Sequence, residues 1–543
     1  MLKIKKMKKK FIIITLQFFI CFALLSQSPD WEWGRCIGSI NEDYSSGIAA
    51  DLNGNVYITG YTEGNDLITF DSITYISGYF IAKYSTTGVV QWAKGNDSSF
   101  FYCGGEVRYP VIDINGNILV TAHGNICDTM GWEFGILILK YNSSGNLKWV
   151  KNVCNSSDVL YPNISTDLIG NIYLTGSFSS PTLTIGSTVL TNVGNGWDVF
   201  IAKYDSSGNA IWAKSAGGNW DIHSTSITTD MNCNVYITGY FHNSASFDSI
   251  ILTSSGYSDI FIAKYNSSGD VLWAKSAGGS ISECANSITT DNVGYIYITG
   301  VFYSHQITFD SITVTNTDIE NCDIFIAKYN SSGNVIWAKS AGGGNNDASH
   351  DISTDADGNV YITGAFWSPQ ITFDSIMLTN MGYDNCYIAK YDSSGNIQWA
   401  KRPDGDGASA SGIVTVLNSN VYITGSFTGL LIFGDDTLIN NPLYSPDVFV
   451  AKLSGSGSSI NKIDPDNLTV VYPNPSGGNF VISNLPASGQ IKIINSTGQT
   501  IKTTRFRDQA NINFTLAESG IYIIRVMTDK GAVTKKVVVC RSE

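Results

Sequence analysis

The strongest constraint on the fold of this 543-residue chain is a segment of about 60 residues that occurs seven times. Each copy contains a Tyr-Ile-Thr-Gly-like tetrad, an Ile-Ala-Lys-Tyr-like segment and a Trp-Ala-Lys-like segment. The tryptophans of the last segment are Trp33, Trp92, Trp149, Trp212, Trp273, Trp337 and Trp399. A steady period of this length indicates a repeat architecture, in which neighbouring units bury each other's apolar surface.

One period predicts four β-strands, labelled A to D. In the unit after Trp212 these strands are residues 226–230, 234–241, 259–265 and 271–276. Asn and Gly residues in the A–B and C–D turns supply the positive φ angles that tight hairpins need. Strand C is apolar on both faces, which is typical of a strand buried between two packed sheets.

The two ends of the array predict how it closes. A Trp strand at residues 31–35 precedes the first A strand, whereas the last copy ends at Leu453 without a Trp strand. Seven complete units exist only if the N-terminal strand becomes strand D of the last unit, which also removes the exposed sheet edges. We therefore predict an all-β, seven-bladed β-propeller with four-stranded blades over residues 29–453.

The repeat also carries a family resemblance. The pattern D-x-x-G-N-[VI]-Y-[IL]-T-G, D-[IV]-F-[IV]-A-K-[YL] and S-S-G-N-x-x-W-A-K resembles the SBBP-type β-propeller repeats of bacterial extracellular proteins. It covers residues from about 31 to 453, with the second unit the most divergent. The resemblance implies a propeller at the cell surface and implies no reaction.

The N-terminus predicts export. Six lysines within residues 1–10 precede an apolar stretch at residues 11–25, and small or polar residues follow at 26–28. This order is typical of a secretory signal peptide over residues 1–28, and the apolar stretch is short for a membrane span. An uncleaved anchor helix is the alternative interpretation. We predict no transmembrane segment in the mature chain, and a secreted or outer-membrane surface location.

The C-terminal residues predict a second domain. A Gly/Ser-rich linker at residues 454–467 leads to short alternating strands in residues 468–543, which suggest a small Ig-like β-sandwich. This segment resembles the type A C-terminal sorting domain of the type IX secretion system, which is confined to the Bacteroidota. The resemblance rests on Tyr472, Pro473, Asn474, Pro475, Gly498, Gly520, Tyr522, Lys535 and Lys536. It implies the type IX machinery as a partner; a structural cap is the alternative.

Charge makes nucleic acid an unfavourable partner. The chain has a formal net charge of −13. Residues 1–10 contribute six lysines and residues 468–543 a net charge of +5, so the residues between them carry a net charge of −24. A surface this acidic repels phosphate backbones.

The face that carries the long B–C connections is the predicted binding face, because loops that accept insertions usually carry function. Aromatic rings there could stack on sugars or protein partners. The candidate rim residues are His242, Tyr303, His305 and Trp367. The alternative is a simple lid over loop backbone. The histidines lack zinc-site spacing, so we predict no metal and no cofactor.

We therefore predict a non-catalytic propeller scaffold for binding or adhesion, with a glycan or protein ligand. No acid pair, nucleophile elbow or Cys/His pairing departs from the repeat in a way that indicates catalysis. Two alternatives stay open: an extracellular glycan-active enzyme with an acidic site in the propeller funnel, and a purely structural surface-coat protein.

Two further features concern covalent chemistry. An Asp-Ser/Thr-apolar tripeptide in the B–C loops resembles an O-glycosylation acceptor, with candidate sites Ser72, Ser249, Ser311, Ser375 and Thr437. A simple two-residue turn is the alternative. Nine cysteines remain after Cys21, and the pairs Cys103–Cys127 and Cys284–Cys322 are candidate disulfides in an oxidising compartment.

Overall fold

The computed structural model describes residues 29–455 and 470–539, apart from 65, 66, 72, 77, 96–105, 129, 130, 155, 157, 417, 418, 441–444, 473–475, 477, 484, 486, 496–499, 529 and 530. These described residues form strands, bridges and turns, with no helix. They consequently include no helix that could cross a membrane. The predicted signal peptide and nearly all of the predicted linker lie outside them.

Within the described residues, seven sheets have the order A–B–C–D. Sheets 1 to 3 are β2 (Asp43–Ala50), β3 (Val56–Thr62), β6 (Tyr79–Tyr84), β7 (Val90–Lys94); β8 (Glu106–Ile112), β9 (Ile118–Asp128), β10 (Gly131–Tyr141), β11 (Leu147–Cys154); and β12 (Val159–Thr166), β13 (Ile172–Phe178), β16 (Asp198–Tyr204), β17 (Ala210–Ala216). Sheets 4 and 5 are β18 (Ile222–Thr229), β19 (Val235–Phe247), β20 (Ile250–Tyr265), β21 (Val271–Ala277); and β22 (Glu283–Thr290), β23 (Ile296–Phe302), β26 (Asp323–Tyr329), β27 (Val335–Gly342). Sheets 6 and 7 are β28 (Asp347–Thr354), β29 (Val360–Phe366), β32 (Asn385–Tyr391), β33 (Ile397–Lys401); and β35 (Ala408–Thr415), β36 (Val421–Phe427), β39 (Asp447–Leu453), β1 (Trp31–Gly38).

The B–C connections form hairpins on the same end of each sheet. In sheets 2 and 4 strands B and C simply extend into a hairpin. The others add short strands: β4 (Leu67–Phe70), β5 (Ile73–Ile76), β14 (Thr182–Ile185), β15 (Thr188–Thr191), β24 (Gln306–Phe309), β25 (Ile312–Thr315), β30 (Gln370–Phe373), β31 (Ile376–Thr379), β37 (Leu430–Phe433) and β38 (Asp436–Ile439). A further short strand, β34 (Asp404–Gly405), lies in the D–A connection between sheets 6 and 7 and pairs with β37.

The N-terminal strand belongs to the sheet of the last repeat. β1 pairs antiparallel with β39, with Trp33 opposite Lys452 and Ile37 opposite Val448. Its other edge pairs with β4 of the first repeat, just as β27 of sheet 5 pairs with β30 of sheet 6. Sheet 7 therefore takes its strands from both ends of the described array.

The cores lie between neighbouring sheets. Strands C of sheets 3, 5, 6 and 7 are buried along their whole length, as their apolar pattern predicts. One cluster joins Ile58 and Phe80 of sheet 1 to Tyr422 and Val448 of sheet 7. Inner strands β2, β8, β12, β18, β22, β28 and β35 contact one another in that order, and β35 also contacts β2.

Each inner strand carries a β-bulge at one position. A bulge leaves one or two residues outside the ladder, and these side chains reach the next sheet. Thr225 Oγ1 donates to Ala285 O at 2.6 Å, and Asn286 Nδ2 donates to Ser349 O at 2.8 Å. His350 Nδ1 lies 2.8 Å from Ala410 O, which continues the series into sheet 7.

A Lys–Trp clamp links five of the seven sheets to the C–D turn of the next sheet. In sheet 4, Lys264 Nζ and Trp273 Nε1 donate to Ser331 O of sheet 5 at 3.0 and 3.2 Å. The turn glycine Gly333 has φ +80°, and a Cβ there would lie 3.0 Å from the Trp273 ring. The same two donors reach Ser143, Ser267, Ser393 and Thr86 from sheets 1, 3, 5 and 7.

The clamp lacks its target between sheets 6 and 7. The C and D strands of sheet 7 come from opposite ends of the array, so no turn joins them. The strand C lysine of sheet 6, Lys390, instead lies 3.8 Å from Asp355 Oδ2, and Trp399 Nε1 is buried without a partner among the described residues.

Buried carboxyl groups begin several C strands. Asp323 accepts hydrogen bonds from Thr317 N and Oγ1 and packs against the Cα of Gly342, where a side chain would collide with it. Asp259 and Gly278 repeat this arrangement in sheet 4. Burial raises the pKa of Asp323 to about 6 and that of its neighbour Asp347 to about 7.

The C-terminal described residues form two antiparallel sheets around one core. The strands are β40 (Val470–Tyr472), β41 (Asn479–Ser483), β42 (Ser488–Asn495), β43 (Thr500–Arg507), β44 (Asn511–Thr515), β45 (Gly520–Thr528) and β46 (Gly531–Val539). The sheet orders are β40–β41–β44 and β43–β42–β45–β46. Phe480 and Phe514 of one sheet pack in a cluster with Ile491 and Ile524 of the other.

The disulfide prediction for Cys284 and Cys322 is wrong, because both are free thiols. Cys284 lies on β22 and Cys322 precedes β26, and β23 runs between these strands. Two strand spacings amount to about 10 Å, whereas a disulfide needs Cα atoms within about 7 Å. Cys103 and the side chain of Cys127 lie outside the described residues.

Replacing the clamp glycine should destabilise the array. Gly333→Ala combines left-handed strain with collision against Trp273, so we expect a loss of about 2 kcal/mol or more in urea unfolding. Gly294 has φ +92° with open space around it, so Gly294→Ala should lower the free energy of unfolding only by the cost of left-handed backbone strain. Gly344→Ala has neither problem and should be neutral or slightly stabilising. Equal losses for Gly333→Ala and Gly294→Ala would contradict the clamp.

The buried carboxyl groups should make the fold less stable as pH rises. Their raised pKa means that the folded state binds protons more tightly, so stability falls from about pH 4 to about pH 7. Asp323→Asn keeps an acceptor for Thr317 and removes the charge; sheet 6 has Asn385 at the equivalent position. We expect a gain of about 1–2 kcal/mol at about pH 7.5 and little change near pH 4.5.

Thermal unfolding across this pH range measures the effect. The matched control is Asp310→Asn, which removes an exposed charge from the β24–β25 turn of the same repeat and should leave the pH profile unchanged. If the stability of the Asp323→Asn protein changed with pH in the same way as that of the unmodified protein, the raised pKa of Asp323 would be contradicted.

Candidate functional site

The four predicted rim residues lie on the B–C face but do not form one cluster. His242 is on β19, Tyr303 and His305 lie between β23 and β24, and Trp367 lies between β29 and β30. Tyr303 is about 40% exposed, and burial together with a hydrogen bond to Cys322 raises its pKa to about 12. His305 is exposed and holds the loop by accepting a bond from Asn316 N at its backbone oxygen.

Trp367 lines an open cavity of about 640 Å³ at the rim of sheet 6. Tyr383 stands on the B–C loop at 80% exposure, and Met381 and Pro369 add apolar surface. Four asparagines complete the lining: Asn321, Asn345, Asn346 and Asn380. The cavity thus combines aromatic rings with side-chain amides and contains no charged side chain in its lining.

Hydrogen bonds to the backbone fix these walls. Asn345 Nδ2 donates to Trp367 O at 3.1 Å, and Trp367 N donates to Asn346 O at 3.0 Å. Asn346 Oδ1 accepts from Cys322 N, which leaves its amide nitrogen for a ligand. Asn380 Oδ1 accepts from Gly382 N at 2.9 Å and thereby holds the loop that carries Tyr383. Such a preorganised site loses little entropy on binding.

Beneath this cavity lies the buried pair Asp323 and Asp347. Ser368 Oγ donates to Asp347 Oδ2 at 2.8 Å and accepts from Asn345 N at 2.9 Å, which links the pair to the cavity wall. The preceding repeat contains a similar pair, Asp259 and Glu283, with Ser304 N donating to Glu283. Recurrence in two repeats favours a role in the scaffold over a role in chemistry at one site.

Tyr383 and the asparagines were missed by sequence reasoning. Residues 380–384 belong to a B–C connection and residues 343–346 to the D–A loop, so only folding brings them beside Trp367. The signal in the sequence was an aromatic residue shortly before strand C, where Trp197 and Tyr257 lie in two earlier repeats.

The candidate glycosylation tripeptides divide into two groups. Asp248-Ser249, Asp310-Ser311 and Asp374-Ser375 are two-residue hairpin turns with exposed serines and φ near +50° at each Asp. Thr437 does not occupy such a turn: Phe433 pairs with Asp436, so the turn is Gly434-Asp435. Asp436 instead pairs with Arg35 at 2.8 Å. Ser72 lies outside the described residues, and modification of the exposed serines stays a prediction.

The sorting-motif residues are described in part. Tyr522 is buried on β45 and donates to Glu518 O at 2.9 Å; Gly520 begins the same strand. Lys535 is exposed on β46. Pro473, Asn474, Pro475, Gly498 and the side chains of Tyr472 and Lys536 lie outside the described residues.

In the part of the chain that the structure describes, no group of three or more His, Cys, Asp or Glu is placed to bind a metal ion.

Comparison with known proteins identifies two family matches. Residues 470–540 match the secretion system C-terminal sorting domain, and residues 32–68 match the β-propeller repeat of the SBBP type. An uncharacterized WD repeat-containing protein, L264 of Acanthamoeba polyphaga mimivirus, is 24% identical over 73% of this chain. The aligned region spans 36% of that viral protein, about a third of its length.

Several solved structures are also similar to this chain. Virginiamycin B lyase from Staphylococcus aureus is 12% identical, covering 78% of this chain and 99% of its own, with a TM-score of 0.39. The Pan2 WD40 domain of Neurospora crassa is 9% identical, covering 80% and 99%, with a TM-score of 0.36. PorZ of Porphyromonas gingivalis, a surface component of the type IX secretion system, is 13% identical, covering 92% and 81%, with a TM-score of 0.26.

The sorting domain indicates export to the cell surface or secretion. The chain thus contains a segment that matches the SBBP-type β-propeller repeat and a C-terminal segment that matches the secretion system sorting domain.

Proposed function

We propose that this protein leaves the cell through the type IX system and acts outside it as a closed, seven-bladed propeller that binds a neutral glycan without converting it. The N-terminal signal peptide and an Ig-like sorting domain belong to this proposal. The observation that carries the binding role is the amide-and-aromatic cavity around Trp367 and Tyr383.

Three contacts support closure of the ring. β35 of sheet 7 contacts β2 of sheet 1, and β1 pairs with β39. Lys452 and Trp33 of sheet 7 donate to Thr86 O of sheet 1 at 3.3 and 3.1 Å. This is the same clamp that joins sheets 4 and 5, so the two ends of the array meet through the interaction used inside it.

The cavity chemistry favours a neutral sugar. Sugar rings present apolar C–H faces that stack on Trp and Tyr, while their hydroxyls bond to asparagine amides. The acidic propeller disfavours polyanions. The recurring buried carboxyl pairs support a scaffold rather than a catalytic site.

Removing the exposed ring should weaken glycan binding. An array of neutral glycans probed with the full chain identifies a ligand, and calorimetry measures its affinity. Tyr383→Ala should weaken binding about tenfold or more, since about 1.4 kcal/mol corresponds to one decade. Val293→Ala is the matched control, because Val293 is equally exposed but lies in an A–B turn at the other end of the sheet. Unchanged affinity after Tyr383→Ala and Trp367→Ala, or an array without a neutral ligand, would refute the proposal.

The C-terminal residues should direct export on their own. A periplasmic reporter fused to residues 468–543 should reach the surface or medium of a type IX-competent host. The same reporter without the tail, and the fusion in a host lacking the secretion channel, should stay in the periplasm. Retention of the fusion in the competent host would count against the sorting role.

A further inference from the structure

A row of aromatic side chains crosses the junction of sheets 3 and 4, away from the Trp367 cavity. The row consists of Tyr161, His223, Tyr240, His242 and Tyr257, and successive ring centroids lie 6.0, 5.0, 5.9 and 4.7 Å apart. We call it the aromatic row. It runs from an inner strand, β12, across β18 and β19 to the B–C hairpin.

The scaffold does not need rings at these positions. His223 pairs with Tyr240 across β18 and β19. The same pair of positions holds small or aliphatic residues in the following sheets: Cys284 with Val301, Ala348 with Ala365, and Ser409 with Ser426. In a repeat array, residues that depart from the repeat are the ones free to carry specificity.

His223 is the polar centre of the row. Its residue surface is only 8% exposed, and its Nδ1 atom is buried without a hydrogen-bond partner among the described residues. Burial lowers its pKa, so the imidazole is neutral and can accept one hydrogen bond. An unpaired buried nitrogen costs free energy, so the described protein groups leave the hydrogen-bonding capacity of this imidazole unused.

Exposed rings stand at both ends of the row. Tyr257 is 72% exposed and Tyr161 41% exposed, and Tyr161 holds a φ of +54°, which is strained for a bulky side chain. Trp197 adds a ring 5.7 Å from His223. Asp221 fixes this tryptophan, since its Oδ1 accepts a bond from Trp197 N at 3.0 Å.

We propose that the aromatic row is a second binding site for a neutral oligosaccharide, with sugar faces on the Tyr and Trp rings and one hydroxyl bonded to the His223 imidazole. This inference takes only the class of ligand from the proposed function, because the aromatic row and the Trp367 cavity share no residue. The acidic surface selects against charged acidic glycans here as well.

A second site on the same rigid ring would raise the avidity for long polysaccharides without new contacts. Short oligosaccharides would then occupy the two sites independently, whereas a polymer that spans both would dissociate more slowly.

Reciprocal variants of the full chain test this inference against the proposed function. The probes are neutral hexasaccharides of glucose and xylose, measured by calorimetry. Tyr257→Ala removes an exposed ring, and His223→Phe keeps the ring but removes the acceptor nitrogen. Each should weaken binding at the row about tenfold or more and leave the Tyr383-dependent site unchanged; Tyr383→Ala should do the reverse.

Thermal unfolding checks that both variants keep the fold. If the His223→Phe protein does not fold, Tyr257→Ala alone decides the test. Loss of all binding in Tyr383→Ala with no effect of Tyr257→Ala would overturn the second site and leave the cavity proposal intact. Loss only in the Tyr257→Ala and His223→Phe proteins would support the row and refute the cavity. A row that binds a lysine- or arginine-rich peptide in place of the hexasaccharides would overturn the choice of ligand.

Discussion

The fold depends on the clamp in which a Lys and a Trp from one sheet both donate to a turn carbonyl of the next. A buried ammonium group is costly unless it is paired, and here it also lies near a tyrosine ring, as Lys264 does 5.1 Å from Tyr236. The turn must approach closely enough to be held, which only glycine allows at positions such as Gly333. A sheet that carries the clamp therefore needs a neighbour, and an isolated repeat would leave these donors unpaired.

This dependence explains why the ends of the array matter. Pairing of β1 with β39 provides sheet 7 with a D strand, whose Trp33 then reaches the first repeat. The same arrangement removes the C–D turn of sheet 7, which leaves Trp399 Nε1 without the carbonyl that its equivalents contact. The pairing of β1 with β39 therefore removes the clamp between sheets 6 and 7 and completes the clamp between sheets 7 and 1.

A scaffold maintained by repeated residues leaves the other positions free to vary. The Tyr-Ile-Thr-Gly and Ile-Ala-Lys-Tyr segments occupy buried strands, so substitutions there would disturb packing. The connections and the outer ends of strands A and B carry no such restriction. The Trp367 cavity and the aromatic row both lie at these free positions, on one face of the array.

The sequence by itself determined the repeat, the four-strand unit, the burial of strand C and the family of both parts, because these depend on local period and on contacts that every repeat makes alike. It also singled out Trp367 as a departure from the repeat. The sequence did not show that Tyr383 and the asparagines lie beside Trp367, or that Tyr161 lies beside His223. It also did not exclude the Cys284–Cys322 disulfide, and it did not show that the last hairpin turn is Gly434-Asp435. Those facts depend on the lateral spacing and register of strands, both within a repeat and between neighbouring repeats, which only the tertiary structure decided.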